Sequence, residues 1–242
     1  MSLSPPSGTH KHRLYCTPGI AIDKALAGLT AVEAVATPPI VDEPCLWVDQ
    51  RGVALLTPGR SKPFRLNPDK FRQRLSASTD LVRACGVSRR ARQMRVLDAF
   101  GGFCIDALTL AEAGASVVAC EQHVLVHALA QAFVSQFRTD VTLYRADGVS
   151  YLQSRVEPAW DVIYLDPMFS PHSKAALPGL PAQILRELNA NLMQPEHEAL
   201  DWLQLALDRA DKVVFKRPLK DPVIGKPNHQ FKGRSVRFDV YR

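Results

Sequence analysis

The chain has 242 residues, 46% hydrophobic and 22% charged, with a formal net charge of +6. That is enough apolar material for a sizeable core, as one large domain or one domain with a small appendage, and it excludes an intrinsically disordered chain. No run approaches the roughly 18 consecutive apolar residues needed to span a bilayer. The polar residues 1–15 lack the apolar centre of a signal peptide. Five scattered cysteines (Cys16, Cys45, Cys85, Cys104, Cys120) form no C-x-x-C pair, which argues against a disulfide framework and against a zinc site. The expectation is a soluble, cytoplasmic protein with no membrane segment and no metal.

The charge is unevenly spread. Eleven Lys and Arg lie between Arg60 and Arg95 against Asp69 and Asp80, and nine lie between Lys212 and Arg242 against Asp221 and Asp239. The remaining residues carry 10 basic and 20 acidic side chains. Two basic segments flanking an acidic middle suit a polyanion such as nucleic acid if the fold brings them together. Either run alone is as readily a solvated face.

Residues 1 to about 75 read as a small N-terminal portion. In it, Leu46-Trp47-Val48 and Val53-Ala54-Leu55-Leu56 are two short strands around the hairpin turn Asp49-Gln50-Arg51-Gly52. From residue 76 to 242 strands and helices alternate. Arg95-Val96-Leu97-Asp98-Ala99 is a first strand, broken by Gly101-Gly102. A helix follows with Ile105, Leu108 and Ala111 on one face, ending at Gly114. Residues 116–120 form a second strand, and Val126, Leu129, Phe133 and Phe137 mark an amphipathic helix. Residues 141–144 and 161–165 are a third and a fourth strand. After the Pro-rich stretch 170–181 come helical segments, the last with Leu200, Leu203 and Leu207 in register. Val213-Val214-Phe215 is a fifth strand, and residues 229–241 read as an antiparallel hairpin around Gly233-Arg234. Apolar strands separated by amphipathic helices give an α/β, mainly parallel sheet with helices on both faces. Ligands in such sheets bind at the carboxyl ends of the strands, so the residues there carry the chemistry.

After the first strand, Gly101 and Gly102 let backbone pass close to a ligand. Glu121, ending the second strand, is placed to accept hydrogen bonds from ribose hydroxyls. Cys104 stands where a dinucleotide-binding loop wants glycine, and nothing cradles a pyrophosphate, which disfavours NAD. Asp98 suits instead a cationic ligand such as the sulfonium and α-amino group of S-adenosyl-L-methionine. Asp147 is placed to accept from an adenine amine. Helix capping is the competing explanation for each of these acids.

Asp166-Pro167-Met168-Phe169, leaving the fourth strand, resembles the (Asp/Asn)-Pro-Pro-(Tyr/Phe) motif of methyltransferases that act on planar exocyclic amines. Such an amine is a poor nucleophile because its lone pair is delocalised into the ring. A carboxylate and a nearby carbonyl that bind its hydrogens can turn the lone pair toward a methyl donor. Pro167 stiffens the turn and Phe169 offers a stacking face. His172 and Lys174 follow the motif, Lys216 and Arg217 leave the fifth strand, and Arg89 and Arg90 belong to the first basic run. All six are candidate contacts to substrate RNA.

Taken together, Val96-Leu97-Asp98-Ala99, Gly102 with Asp106-Ala107, Tyr164-Leu165-Asp166-Pro167-Met168-Phe169, Lys174-Ala175-Ala176-Leu177, Phe215-Lys216-Arg217-Pro218, Lys232-Gly233 and Arg237-Phe238-Asp239-Val240-Tyr241 resemble the RsmJ-type family of ribosomal RNA small-subunit methyltransferases, which methylate a guanine N2 in 16S rRNA. The resemblance runs from about Leu46 to Tyr241. It implies a Rossmann-like class I fold with a seven-stranded-type sheet, S-adenosyl-L-methionine as cofactor, and ribosomal RNA or the small ribosomal subunit as partner. It further implies cofactor contacts at Ile105-Asp106, Glu121-Gln122, Asp147-Gly148 and Asp166. The family usually has Gly and Arg where this chain has Cys104 and Ile105, so any contact by that Arg is missing. An adenine-N6 or protein-amide methyltransferase using the same motif, and a non-catalytic RNA-binding relative, remain open at this point.

Overall fold

Short apolar runs and one tight turn build the sheet at the start of the chain. The computed structural model describes residues 13–20, 26, 31–75, 79–154, 160–168, 179–190 and 198–242, and the chain divides into two compact units, Met1–Leu66 and Asn67–Arg242. In the first unit, β1 (Arg13–Cys16), β2 (Ala31–Ala34), β3 (Cys45–Asp49) and β4 (Gly52–Leu56) form one sheet in the order β2-β1-β3-β4. β3 and β4 are the expected antiparallel hairpin, with Trp47 opposite Ala54. Tyr15, Cys45, Trp47, Ala54 and Leu56 make its core. The Arg65 guanidinium lies 5.4 Å from the centre of the Trp47 ring and 2.9 Å from Asp49. β1 pairs in parallel with both β2 and β3. Parallel partners are joined by long connections with no hairpin turn to signal them, so these two strands left no mark in the sequence.

The second unit runs α1 (Pro68–Leu75), α2 (Thr79–Cys85), β5 (Arg95–Asp98), α3 (Ile105–Glu112), β6 (Ser116–Cys120), α4 (Val124–Val134), β7 (Val141–Tyr144), α5 (Gly148–Ser154), β8 (Val162–Leu165), α6 (Leu180–Leu188), α7 (Ala199–Leu207), β9 (Val213–Pro218), β10 (His229–Lys232) and β11 (Val236–Tyr241). Its seven strands lie in the order β10-β11-β9-β8-β5-β6-β7. The five strands from β9 to β7 are parallel, while β11 is antiparallel to β9 and β10 to β11. The chain builds outward from β5 through β6 to β7, then returns to place β8 on the other side of β5. A crevice opens at the carboxyl ends where such an order reverses. Here that is the gap between β5 and β8.

Period-two alternation assigns the two faces. Leu97, Ile163, Leu165, Val213 and Phe215 point one way and pack on Tyr151 and Leu152 of α5 and Trp202, Leu203 and Ala206 of α7. Asp98, Tyr164 and Val214 point the other way, and the register aligns Asp98 with Tyr164 and Tyr164 with Val214. The α7 stripe differs from the expected one. Ala199, Trp202, Leu203 and Ala206 face the core, whereas Leu200 is 48% exposed, because the large Trp202 ring sets which way the helix turns. α4 stops at Val134, yet Phe137 beyond it still packs edge-on against Phe71 and Phe133 at 5.1 and 5.2 Å. Among the described residues no helix is long and apolar enough to cross a membrane.

Candidate active site

The strand register puts charge at the switch point. One residue beyond the paired Leu165 and Phe215, Asp166 just past β8 and Lys216 within β9 are neighbours. Lys216 Nζ donates to Asp166 Oδ2 at 2.8 Å and to Asp106 Oδ2 at 2.8 Å. Asp106 sits in the first turn of α3 and also accepts the Tyr164 hydroxyl at 2.6 Å. The side chains of Lys216, Asp106 and Asp166 keep 24%, 27% and 34% of their surface, so the trio lines an opening rather than a sealed core. Burial opposes the charge on each. For Lys216 the two carboxylates outweigh it and hold the ammonium protonated well above the usual lysine range. For Asp106 the Lys216 ammonium and the Tyr164 hydroxyl outweigh it and keep the carboxyl below its ordinary value. For Asp166 burial wins, with the Asp106 charge adding to it, and its carboxyl is pushed up. Asp166 is therefore the better proton acceptor of the two.

The neighbouring strand ends converge on the same crevice. Asp98 is buried, its carboxylate accepting the Phe100 N–H at 3.3 Å, and burial followed by Asp106 and Asp166 raises its pKa well above the carboxylate range. The Gly101 N–H donates to the Cys120 carbonyl at 2.8 Å, tying the loop after β5 to the end of β6. Gly102 has φ +52° and lies under Leu185 of α6. Cys104, at the N-cap of α3, has φ 58°, the left-handed region where glycine fits at least cost. Its thiol is fully buried and burial pushes its pKa up, so it is inert. Ile105 is half-buried and Gln122 likewise. Asp147 caps α5, with Oδ2 accepting the Ser150 N–H at 2.8 Å. A Cβ on Gly148 would meet the Ala99 carbonyl oxygen at 1.9 Å. Gly148→Ala should therefore force β5 and α5 apart and cost on the order of 1–3 kcal/mol or more in thermal or denaturant unfolding. A wild-type melting temperature would show that the two backbones can separate freely.

A family model described as "Putative SAM-dependent methyltransferase" matches residues 65–242. The ribosomal RNA small subunit methyltransferase J of Alkalilimnicola ehrlichii is 35% identical over 242 residues, covering 90% of this chain and 89% of that one. Its counterpart from Magnetococcus marinus is 33% identical over 237 residues, covering 88% of each. The chain belongs to the ribosomal RNA small subunit methyltransferase J family. It is an S-adenosylmethionine-dependent methyltransferase of class I fold. The crystal structure of the SAM-dependent methyltransferase NGO1261 from Neisseria gonorrhoeae shares that fold, with a TM-score of 0.71 over 95% of each chain at 21% identity.

The residues at the crevice of this methyltransferase J chain fit S-adenosylmethionine. The buried acids Asp98 and Glu121 and the bridged Asp106 offer acceptors where a cationic nucleoside needs them. Glu121 is buried at the end of β6, and its Oε1 accepts the His123 N–H at 2.7 Å. Burial pushes its pKa up to about 7, against backbone N–H groups of His123, Gly102 and Gln122 that lower it. Ribose hydroxyls donating to Glu121 would favour the carboxylate form. Cofactor affinity should then strengthen as pH rises from about 6 to 8, with up to about one proton released on binding below pH 7. Calorimetry in two buffers of different ionisation enthalpy measures that proton; pH-independent affinity without proton release would remove Glu121 from the site.

The remaining expected contacts fall in different places. Pro167 is buried and Met168 half-buried. Phe169, His172 and Lys174 lie outside the described residues. Lys216 is at the site, but its ammonium is committed to two carboxylates and not to RNA phosphate. Arg217 points to the opposite face of β9 with 0% of its side chain exposed, 3.6 Å from Asp221, which is no position for an RNA contact. The sequence reading ended the strand at Phe215, whereas β9 continues to Pro218 and alternation separates the two cations. Arg237, opposite Arg217, holds the turn that follows by donating to the carbonyls of Pro218, Leu219, Asp221 and Pro222. Arg89 and Arg90 precede β5, at the amino-terminal edge of the sheet and not at the crevice; Arg89 donates to the Glu112 carbonyl at the end of α3. Tyr164, whose hydroxyl donates to Asp106, is a candidate site residue that the sequence reading did not single out. Its sequence signal was the two-residue spacing to Asp166, which places both on one face of β8.

Proposed function

We propose that this enzyme transfers the methyl group of S-adenosylmethionine to an exocyclic amine of RNA, and that the amine is guanine N2 in the 16S RNA of the small ribosomal subunit. Such a substrate is met in the cytoplasm. The names of the methyltransferase J relatives support the substrate class. The observation that carries the chemistry is the Asp166 carboxylate at the switch point. One of its oxygens is fixed by Lys216, and Oδ1 takes no hydrogen bond from a described residue.

When bound, S-adenosylmethionine supplies an electrophilic sulfonium methyl. Asp166 Oδ1 accepts one hydrogen of the amine, drawing electron density back onto nitrogen and orienting its lone pair. The stiff Asp166-Pro167-Met168 turn keeps that oxygen at the strand end. A nitrogen–carbon bond forms as the carbon–sulfur bond breaks, and the nitrogen, now positively charged, loses a proton. Asp166, with its raised pKa, is poised to receive it. In this reading Phe169, next in sequence, is the base-stacking residue, and Asp98, Gly101, Gly102, Ile105, Asp106, Glu121, Gln122, Asp147 and Gly148 hold the cofactor.

The experiment is methyl transfer from labelled S-adenosylmethionine to purified small subunits and to 16S RNA, followed by mass analysis of the digested nucleosides. A guanosine carrying one extra methyl on N2 supports the reading. Label on adenosine N6, or on protein, would replace it.

A further inference from the structure

Tyr164 is fully buried beside the switch point. In β8 it alternates away from Ile163 and Leu165, and the register sets it between Asp98 of β5 and Val214 of β9. Its ring is tilted against that of Phe238, with 6.5 Å between the ring centres. A phenylalanine would fill that space equally and bury no hydroxyl, so packing gives no reason for the oxygen. The reason lies in what the hydroxyl meets. It donates to Asp106 Oδ2 at 2.6 Å, the short distance of a hydrogen bond to a charged oxygen.

Lys216 Nζ donates to the same oxygen at 2.8 Å. Two donors from neighbouring strands thus converge on Oδ2, while Asp106 Oδ1 takes no hydrogen bond from a described residue. A carboxylate held by one flexible ammonium can turn about its last torsion and offer either oxygen. A second donor on a rigid ring, bound to the same oxygen, removes that freedom and leaves Oδ1 as the oxygen for a ligand. The titratable groups facing Asp106 are Lys216, Tyr164, Asp98, Asp166 and Cys85 of α2. Among them only Lys216 is a cation, and Asp166 shares it, so a cationic ligand is favoured here. Burial, and then the Asp106, Asp166 and Asp98 carboxylates, push the Tyr164 phenol well above its ordinary range, which keeps it a donor and not a base. With none of its surface exposed, Tyr164 touches neither cofactor nor RNA. What is left for it is to act through Asp106.

We propose that Tyr164 is a positioning residue for the cofactor: its hydroxyl locks the Asp106 carboxylate so that Oδ1 stands ready for the cationic methionine portion of S-adenosylmethionine. The proposal rests on the reading of Asp106 as a cofactor contact and adds the group that orders it. A carboxylate already ordered loses no further freedom when the ligand arrives, which strengthens binding.

The test is calorimetry of two ligands on wild type, Tyr164→Phe, Asp106→Ala and the double variant. One ligand is S-adenosylmethionine. The other is methylthioadenosine, a nucleoside with neither the sulfonium nor the α-amino group. Tyr164→Phe keeps the ring and its packing, and should weaken S-adenosylmethionine about 3- to 10-fold. Methylthioadenosine should bind that variant as it binds wild type, which a merely structural role would not allow. Asp106→Ala should weaken S-adenosylmethionine at least as much, and adding Tyr164→Phe to it should cause no further loss, because there is no carboxylate left to aim. Wild-type affinity in Tyr164→Phe, with Asp106→Ala weakened, would overturn the proposal and leave Asp106 in the site. Equal weakening of methylthioadenosine, or effects that multiply in the double variant, would also overturn it and make Tyr164 a packing residue. Wild-type affinity in Asp106→Ala is a different failure: it removes Asp106 from the cofactor site, and the proposal with it.

Discussion

Asp166→Ala should lower single-turnover methyl transfer by about 10²- to 10³-fold. S-adenosylmethionine affinity should change only a fewfold. The physical reason is the division of labour at the crevice. In the proposed site the cofactor acceptors Asp98, Asp106, Glu121 and Asp147 sit on several separate elements, so loss of one among several would weaken binding modestly. The polarising contact to the amine is the role proposed for Asp166, and such a contact matters most as charge develops on nitrogen. Asp166→Asn separates the two parts of its role. An amide oxygen still accepts the amine hydrogen but cannot take a proton, so Asn should retain more activity than Ala and less than wild type. Full activity in the Ala variant would show that the amine is held elsewhere.

Lys216→Met has the second largest expected effect, and its pattern differs. Removing the ammonium leaves the Asp106 and Asp166 carboxylates facing each other without a cation. A fully buried pair broken in this way costs about 3–5 kcal/mol. These side chains keep roughly a quarter to a third of their surface, so about 1–3 kcal/mol is expected here. The pH dependence identifies the cause. In wild type the Asp106 carboxyl is held below its unfolded value. It therefore contributes stability that is present above the unfolded pKa and is lost as pH falls through the folded one. In the variant both carboxyls shift upward, so the folded state loses stability as pH rises from the unfolded pKa to the new folded one. The melting-temperature deficit of Lys216→Met should thus shrink on going from pH 7 to pH 4. Turnover should fall by about 10²-fold, cofactor affinity should weaken as well because Asp106 shares the ammonium, and Lys216→Arg should recover part of both. A pH-independent stability deficit, with no recovery by Arg, would reduce Lys216 to a packing residue.

Much of the second unit was legible because its signals are local. The strands 116–120 and 141–144 coincide with β6 and β7 to the residue, and Asp98, Glu121, Asp147 and Asp166 do stand at successive strand ends. What escaped depends on register and on which way a side chain points. Lys216-Arg217 reads as one basic dipeptide, yet one cation bridges Asp106 and Asp166 and the other is buried on the far face. Tyr164 reads as a core aromatic until its hydroxyl is seen on Asp106. Arg89 and Arg90 look like a nucleic-acid contact in sequence, but they precede β5 and so fall at the edge remote from the crevice. A run of charge shows composition; the position of the strand after it decides which edge the charge serves. Cys104 departs from glycine at a left-handed position, a fact that needs the backbone angle and cannot be had from residue type.

A structure of the enzyme with S-adenosylhomocysteine and guanosine bound together would test the central claim most directly. The account predicts the guanine amine within hydrogen-bond distance of Asp166 Oδ1, its nitrogen turned toward the sulfur, and Lys216 still on Asp166 Oδ2. An Asp166 side chain turned out of the crevice, or a purine unable to enter it, would contradict the account.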